Sequence, residues 1–270
     1  MKKRLDILLT ERDFFASREK AKAAVMAGLV RVEGQICDKP GTQLDEDTLI
    51  ELIDNPCPFV SRGGLKLQRA IDTFDIQLSG STCMDIGSST GGFTDCMLQA
   101  GADIVYAVDV GYGQLDYRLR MDKRVVVLER TNIRYLAPES VPVRFDFISI
   151  DVSFISLRLV LPVVTRLLLP KGQCLCLVKP QFEAGRKDVG KKGIVRDKDT
   201  HISTISAVMS HAQDNELTPI ALTHSPITGA KGNIEFLLLL TTEPSIVGLQ
   251  TQDVEAAVMT AHAQLMTHED

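Results

Sequence analysis

The sequence predicts an α/β protein: an open sheet whose strands alternate with helices, led by a small α+β unit. Three observations predict it. Thr82 to Gly101 reads as a strand, a glycine-rich turn and a helix, and ligands sit at the carboxyl ends of the strands in such open sheets. Short apolar runs then recur and end on polar residues, at Ile104 to Asp109, Phe145 to Asp151 and Gln173 to Lys179. The start of the chain carries its own helix-and-strand pattern, closed by Asp54-Asn55-Pro56-Cys57-Pro58, a linker that two prolines stiffen. The expected divisions are residues 1–53 for the small unit, 54–60 for the linker, 61–245 for the sheet domain and 246–270 for a helical C-terminal tail.

Taken in order, Leu5, Leu8 and Leu9 mark one helical face. Ser17 is placed as an N-cap, and Ala21, Ala24, Val25 and Ala27 follow at helical spacing up to Gly28, a helix stop. Leu29 to Val32 and Thr48 to Leu52 read as short strands, with turns at Glu33-Gly34 and Lys39-Pro40-Gly41. Arg18, Lys20 and Lys22 crowd one short helix, where phosphates could be met. After the linker, Gly63-Gly64 opens an amphipathic helix through Leu65, Leu67, Ala70, Ile71 and Phe74. Lys66 falls in its first turn, where the helix dipole disfavours a cation, so something else is expected to hold it.

Thr82 to Ile86 is the first strand of the sheet domain. Gly87, Gly91 and Gly92 let the backbone turn sharply and approach a ligand, and Phe93 starts a helix that Gly101 stops. The spacing does not fit the dinucleotide fingerprint, and the Lys-Ser/Thr of a P-loop is absent. The second strand ends in Asp109, and an acid at that tip can accept hydrogen bonds from both ribose hydroxyls of an adenosine. Arg124 to Leu128 is a third strand, and the loop Glu129-Arg130-Thr131-Asn132 is placed to touch the adenine. A fourth strand ends at Asp151. Leu157 to Leu169 reads as a helix interrupted near its start by Pro162. Gln173 to Val178 is a fifth strand, with Lys179-Pro180-Gln181-Phe182-Glu183 at its end. Gly185 to Lys198 reads as a mobile loop, Ile202 to Ala212 as a helix, and Thr218 to Leu222 and Ile234 to Leu240 as strands.

Composition narrows the function classes. With 270 residues and 44% apolar content the chain can bury a core. No apolar run approaches the ~18 residues of a membrane span, and no apolar stretch follows the basic start as in a signal peptide. The six cysteines are scattered with no Cys-x-x-Cys pair, which suits reduced thiols in the cytoplasm. Net charge is −5, yet residues 1–31 hold eight Lys/Arg against four Asp/Glu, and residues 179–198 hold seven against three. Local basic faces on an acidic body suit a nucleic-acid partner.

D-I-G-S-S-T-G-G-F-T-D followed by A-V-D-V-G resembles the S-adenosylmethionine pocket of class I methyltransferases, specifically the FtsJ-like ribose methyltransferases. That resemblance implies a Rossmann-like sheet of seven strands, the last antiparallel. It implies cofactor contacts from Asp85, Gly87, Ser88, Ser89, Thr90, Gly91, Gly92, Phe93, Asp109, Val110, Asn132 and Asp151. R-L-D-x-L-L, S-R-E-K-A-K-A-A-V-M-A-G-L-V-R-V-E-G and K-P-G are similar to the small RNA-binding fold of ribosomal-protein-S-four type. RNA contacts are then expected from Arg4, Arg18, Lys20, Lys22 and Arg62. Glu33 departs from the Asn frequent before the glycine in that family; it keeps a turn and adds a negative charge.

S-R-G-G-L-K, S-I-D-V-S-F, L-V-K-P-Q-F-E and G-N-I-E-F are similar to the four motifs that supply the Lys-Asp-Lys-Glu tetrad of FtsJ-like enzymes, here Lys66, Asp151, Lys179 and Glu235. With the RNA-binding unit in front, the chain resembles the TlyA family, which methylates the ribose 2′-hydroxyl of cytidines in rRNA and was first described as haemolysins. The resemblance implies ribosomal RNA within ribosomal subunits as partner; no membrane partner is expected from the apolar runs, and no metal, since the chemistry requires none and no His/Cys/Asp cluster stands out. The chemistry stands on its own terms. A ribose hydroxyl is a weak acid and needs a proton acceptor or a positive field before it attacks a sulfonium methyl. Lys179 is the expected base, Lys66 the neighbouring cation that would favour its neutral amine, Asp151 its orienting partner, and Glu235 the group that holds Lys66 or the ribose. Two alternatives are a pore-forming cytolysin, for which the chain offers no membrane-inserting element, and an RNA-binding protein with an inactive methyltransferase domain.

Overall fold

The structure, a computed structural model, describes residues 2–265 apart from positions 16, 27, 54–56, 186, 191–192 and 230–231. Residues 54–56 of the expected linker, three basic residues of the expected 185–198 loop and the end of the tail lie outside the described residues. The chain divides into two compact units, Met1–Arg62 and Gly63–Asp270.

The first unit holds β1 (Lys2–Arg4), α1 (Leu5–Glu11), α2 (Arg18–Met26), β2 (Val30–Val32), β3 (Gln35–Ile36), β4 (Gln43–Asp45) and β5 (Ile50–Leu52). Its core is the face foreseen from the leucine spacing: Leu5, Leu8 and Leu9 of α1 pack with Ala21 and Val25 of α2, Val30 and Ile50. Ser17 acts as the α2 cap, its Oγ accepting the Lys20 N–H at 3.3 Å. Between β2 and β3 the chain reverses through Glu33 at φ +50° and Gly34 at φ +79°. Two successive positive φ values match the twist of a tight hairpin. Glu33 also accepts the Leu49 N–H at 2.9 Å, which ties the hairpin to the approach to β5.

The second unit is built on a seven-stranded sheet. Its strands are β6 (Thr82–Ile86), β7 (Ile104–Val108), β8 (Val125–Leu128), β9 (Phe145–Ile150), β10 (Leu168–Val178), β11 (Thr218–His224) and β12 (Phe236–Thr241), in the order β11-β12-β10-β9-β6-β7-β8. The run from β10 to β8 is parallel, whereas β12 is antiparallel to both neighbours. This is the expected sheet with its last strand reversed. Central strands are buried on both faces and read as continuous apolar runs, as Leu237 to Leu240 do. The helices are α3 (Gly63–Phe74), α4 (Gly92–Gln99), α5 (Tyr117–Arg120), α6 (Leu161–Leu167), α7 (Pro180–Glu183), α8 (Lys198–Gln213) and α9 (Thr251–Leu265). Helix α9 contributes Val254, Val258 and Ala261 to the sheet-domain core, and its His262 Nε2 lies 2.9 Å from His201 Nδ1 of α8.

Three expectations need correction. The helix expected at Leu157 to Leu169 is a 3-10 turn (Leu157–Leu159) followed by α6, and the chain turns into β10 at Leu168. Pro162 starts α6 rather than interrupting it, because a missing N–H costs nothing in a first helical turn. Strand β10 is longer than expected: Leu168 already pairs with Phe145, and the register shifts before Gln173, with Lys171 at φ +65° in between. Helix α5, not foreseen, is capped by Asp116, whose carboxylate accepts the Arg118 N–H at 2.8 Å.

Candidate active site

Strand order reverses direction between β6 and β9, and a cavity of about 530 Å³ opens at the carboxyl ends of the strands there. That is the place where open α/β sheets hold ligands, and the volume lies within the ~300–1,000 Å³ of ordinary ligand pockets. Its wall includes six of the predicted cofactor residues: Gly87, Ser89, Asp109, Val110, Asn132 and Asp151. Gly87 sits at φ +86°, and a Cβ there would collide with the carbonyl oxygen of Asp151. Only glycine lets the turn pass so close to the end of β9. Asp109 is fixed by two backbone donors, the Ser89 N–H to Oδ2 at 2.8 Å and the Gly111 N–H to Oδ1 at 2.7 Å.

The remaining predicted cofactor residues are not on this wall. Asp85 is 1% exposed; Oδ2 accepts the Thr94 N–H at 2.9 Å and its hydroxyl at 2.7 Å, and Oδ1 accepts the Ser149 hydroxyl at 3.1 Å. Burial pushes its pKa up to about 6, against the pull of those three donors. Asp85 therefore ties α4 to β9 from inside the sheet and does not reach the cavity. The reason is strand alternation: Ile86 faces the cavity, so its neighbour faces the other way. Ser88 and Phe93 are buried, Gly91 and Gly92 form the start of α4, and Thr90 is exposed off the wall. Thr131, from the loop expected at the adenine, also lines the cavity, and Gln114, Val152, Ser153 and Phe154 line it without having been foreseen. Phe154 is 90% exposed with φ +64°, an uncommon conformation for an aromatic residue, and its ring lies 4.9 Å from that of Phe182. An aromatic set among the polar residues of D-V-S-F was the available signal.

The four tetrad residues form two ion pairs. Lys179 Nζ lies 2.5 Å from Asp151 Oδ1 and donates to Ser153 Oγ at 3.1 Å. Lys66 Nζ lies 2.6 Å from Glu235 Oε2, with side-chain exposures of 11% and 3%. The partner expected for a first-turn lysine is thus a nearly buried carboxylate. Topology explains the convergence. Val178 pairs with Phe236 across antiparallel β10 and β12, so Lys179 leaves one strand where Glu235 enters the other. Lys179 has the extended backbone expected before proline, and Pro180 opens α7. A Cβ at Gly229 would collide with the Glu235 carboxylate, so that loop must pass flush against it. Glu183, at the end of α7, accepts the Ser156 hydroxyl at 2.7 Å and the Leu157 N–H at 2.8 Å, while burial pushes its pKa up.

In the first unit, Arg4 and Arg18 are not free cations. Arg4 forks onto both oxygens of Asp6 at 3.0 Å, and Arg18 Nε adds a third contact at 3.0 Å. Asp6 is 1% exposed, and the hydrogen bonds from Arg4, then Arg18, hold its carboxyl below the usual carboxylate range. Lys20 and Lys22 are exposed, and Arg62 lies 4.0 Å from Asp38. Among the described residues no group of three His, Cys, Asp or Glu could hold a metal, and no helix is long and apolar enough to cross a membrane.

Comparison with known proteins places this geometry. The FtsJ-like methyltransferase family matches residues 59–242, and the S4 domain matches residues 3–50. The YqxC protein of Bacillus subtilis is 53% identical over 88% of this chain and 85% of its own length. The 16S/23S rRNA (cytidine-2′-O)-methyltransferase TlyA of Mycobacterium tuberculosis is 42% identical over 89% of this chain and 90% of its own. A solved structure from Streptococcus thermophilus, described as a hemolysin, is 44% identical, covers 98% of this chain and 97% of its own, and superposes with a TM-score of 0.79. With a parallel sheet reversed only at its last strand, a glycine-lined cavity at the switch point and an S4 domain in front, the chain belongs to the FtsJ-like methyltransferase family.

Proposed function

We propose that the protein transfers a methyl group from S-adenosylmethionine to the ribose 2′-hydroxyl of cytidine in ribosomal RNA. The observation that carries the reading is the Lys179–Asp151 ion pair, whose acid lies on the cavity wall, with Lys66–Glu235 brought in by the adjoining strand. The residues present fit the cofactor: a turn that only glycine permits, and an acid anchored at the tip of β7. Gly87, Ser89, Asp109, Val110, Gln114 and Asn132 would hold it. When bound, it supplies an electrophilic methyl on a sulfonium.

The chain's own residues do the rest. Lys179 takes the hydroxyl proton or stabilises the forming alkoxide, and Asp151 and Ser153 aim its amine. Such general-base help is worth ~10²–10⁴-fold, and fixing the hydroxyl in line with the methyl contributes at least comparably. Glu235 compensates Lys66 and frees that lysine's position from depending on solvent. The exposed Phe154 ring offers a face on which an unstacked base can lie. Lys20, Lys22 and the outward guanidinium edges of Arg4, Arg18 and Arg62 supply phosphate contacts from the S4 domain. The expected substrate is rRNA within ribosomal subunits, and the expected location is the cytoplasm. Membrane lysis would leave the cavity and both ion pairs without a role.

The test is incubation of the purified chain with ribosomal subunits and radiolabelled S-adenosylmethionine, followed by mapping of 2′-O-methyl groups. Label at a cytidine ribose is expected. Label on a base, or none on either subunit, would overturn the reading.

A further inference from the structure

Two segments carry the proposed chemistry, 151–156 after β9 and 179–183 after β10, and they are joined by successive side-chain contacts. At one end Lys179 meets Asp151 at 2.5 Å and Ser153 at 3.1 Å. Next, the rings of Phe154 and Phe182 lie 4.9 Å apart. At the far end Glu183 accepts the Ser156 hydroxyl at 2.7 Å and the Leu157 N–H at 2.8 Å. That last contact lies outside the cofactor cavity. Glu183 and Ser156 line a separate hollow of about 260 Å³ with Arg158, Thr204 and His211.

Segment 151–156 has no regular secondary structure, and its Phe154 sits at φ +64°. Asp151 still donates its N–H to the Ile86 carbonyl at 2.9 Å, but beyond it the segment leaves both sheet and helix, so cross-contacts must define where Ser153 and Phe154 point. Both partners of Glu183 are donors: a backbone N–H can only donate, and the Ser156 Oγ is already within 3.2 Å of the Arg158 N–H, which it accepts. An acceptor with two oxygens suits that pair, and an amide would turn its NH₂ toward one of them. The charged or titratable groups that line the same hollow are His211 from α8 and Arg158 from the 3-10 turn. A cationic His211 favours its ionised form.

We infer that Glu183 is a positioning residue for methyl transfer: by clamping Ser156 and Leu157 it fixes the loop of Asp151, Ser153 and Phe154 against the turn that carries Lys179. The inference rests on the methyl-transfer reading above. It is tested by amide hydrogen exchange and single-turnover methylation of ribosomal subunits, on the wild type, Glu183→Gln, Ser156→Ala and the double variant. Exchange across 152–157 should quicken in Glu183→Gln while α8 keeps its protection. The transfer rate should fall about ten- to a hundred-fold, the scale of a small misplacement, with cofactor and subunit affinities held within about two-fold. The double variant should be no slower than Glu183→Gln alone, since both substitutions break one contact. Unchanged exchange at 152–157 would overturn the clamp whether or not the chain methylates. Faster exchange with a full transfer rate, or rate and affinity falling together, would overturn the positioning role. A wild type that transfers nothing while its loop still responds to Glu183→Gln would overturn the methyl-transfer reading and the role in transfer, leaving the clamp itself standing.

Discussion

Lys179 has two candidate roles, and a single pair of substitutions separates them. Lys179→Ala should abolish transfer with little change in cofactor or RNA affinity, because the amine meets Asp151 and Ser153 while the cofactor turn lies on β6 and β7. Lys179→Arg keeps the charge, but guanidinium cannot give up a proton near neutral pH. If the amine is the base, the Arg variant should be nearly as inactive as the Ala variant; if it supplies only a positive field, substantial activity should remain. Single-turnover rates with separately measured binding decide this. Asp109→Ala should weaken S-adenosylmethionine by roughly ten-fold or more, the worth of charge-assisted hydrogen bonds at ~1.5–3 kcal/mol, and leave RNA binding nearly intact. Calorimetry checks it, and an unchanged dissociation constant would remove Asp109 from the pocket. Asp109 also receives the Ser89 and Gly111 N–H groups, so its loss should loosen the glycine turn as well.

At the scale of elements, Gly87 is the test of the turn. Gly87→Ala puts a side chain at φ +86° and into the Asp151 carbonyl. The backbone term alone is worth roughly 1–2 kcal/mol; a lowered melting temperature with impaired cofactor binding is expected, whereas wild-type affinity would refute the close-approach argument. This turn was legible in the sequence because glycine spacing states a backbone need directly. What spacing could not state is side-chain direction. Asp85 belongs to the same motif, yet alternation along β6 sends it inward to Thr94 and Ser149. Lys66 announced itself as a cation at the wrong end of a helix dipole; its partner Glu235, on β12's approach, came only from the resemblance of G-N-I-E-F, which left open whether it holds Lys66 or the ribose. Phe154 and Gln114 sit in irregular loops with no periodicity to read. The α6–β10 boundary was obscured because Leu167-Leu168-Leu169 suits a buried helix and a buried strand equally.

For the whole molecule, the two units should fail separately. Asp6 is held below its ordinary pKa by Arg4 and Arg18 in the S4 unit. A depressed folded pKa stabilises above the unfolded value near 3.9, and that stability is lost as pH falls through the folded value. Asp6→Asn should therefore cost the first unit about 1–3 kcal/mol at neutral pH and flatten its acid sensitivity below pH ~4, measured as the first transition in calorimetry. Deleting residues 1–53 should weaken RNA binding and flatten its salt dependence, since fewer counterions are released, while cofactor affinity is kept; full methylation of intact subunits by the truncated chain would give that unit another job. The Lys66–Glu235 pair spans 169 positions, and this has a consequence in time. Strand β11 is made before β12 but pairs only with β12, which must insert between it and β10. At synthesis rates of ~5–20 residues per second, Lys66 waits roughly 8–34 s for its acid. A chain still emerging from a ribosome is surrounded by the RNA it would modify; until position 235 is reached its set of charges is incomplete, and until position 241 its sheet is not closed. Activity is therefore a property that the chain acquires only once β12 is in place.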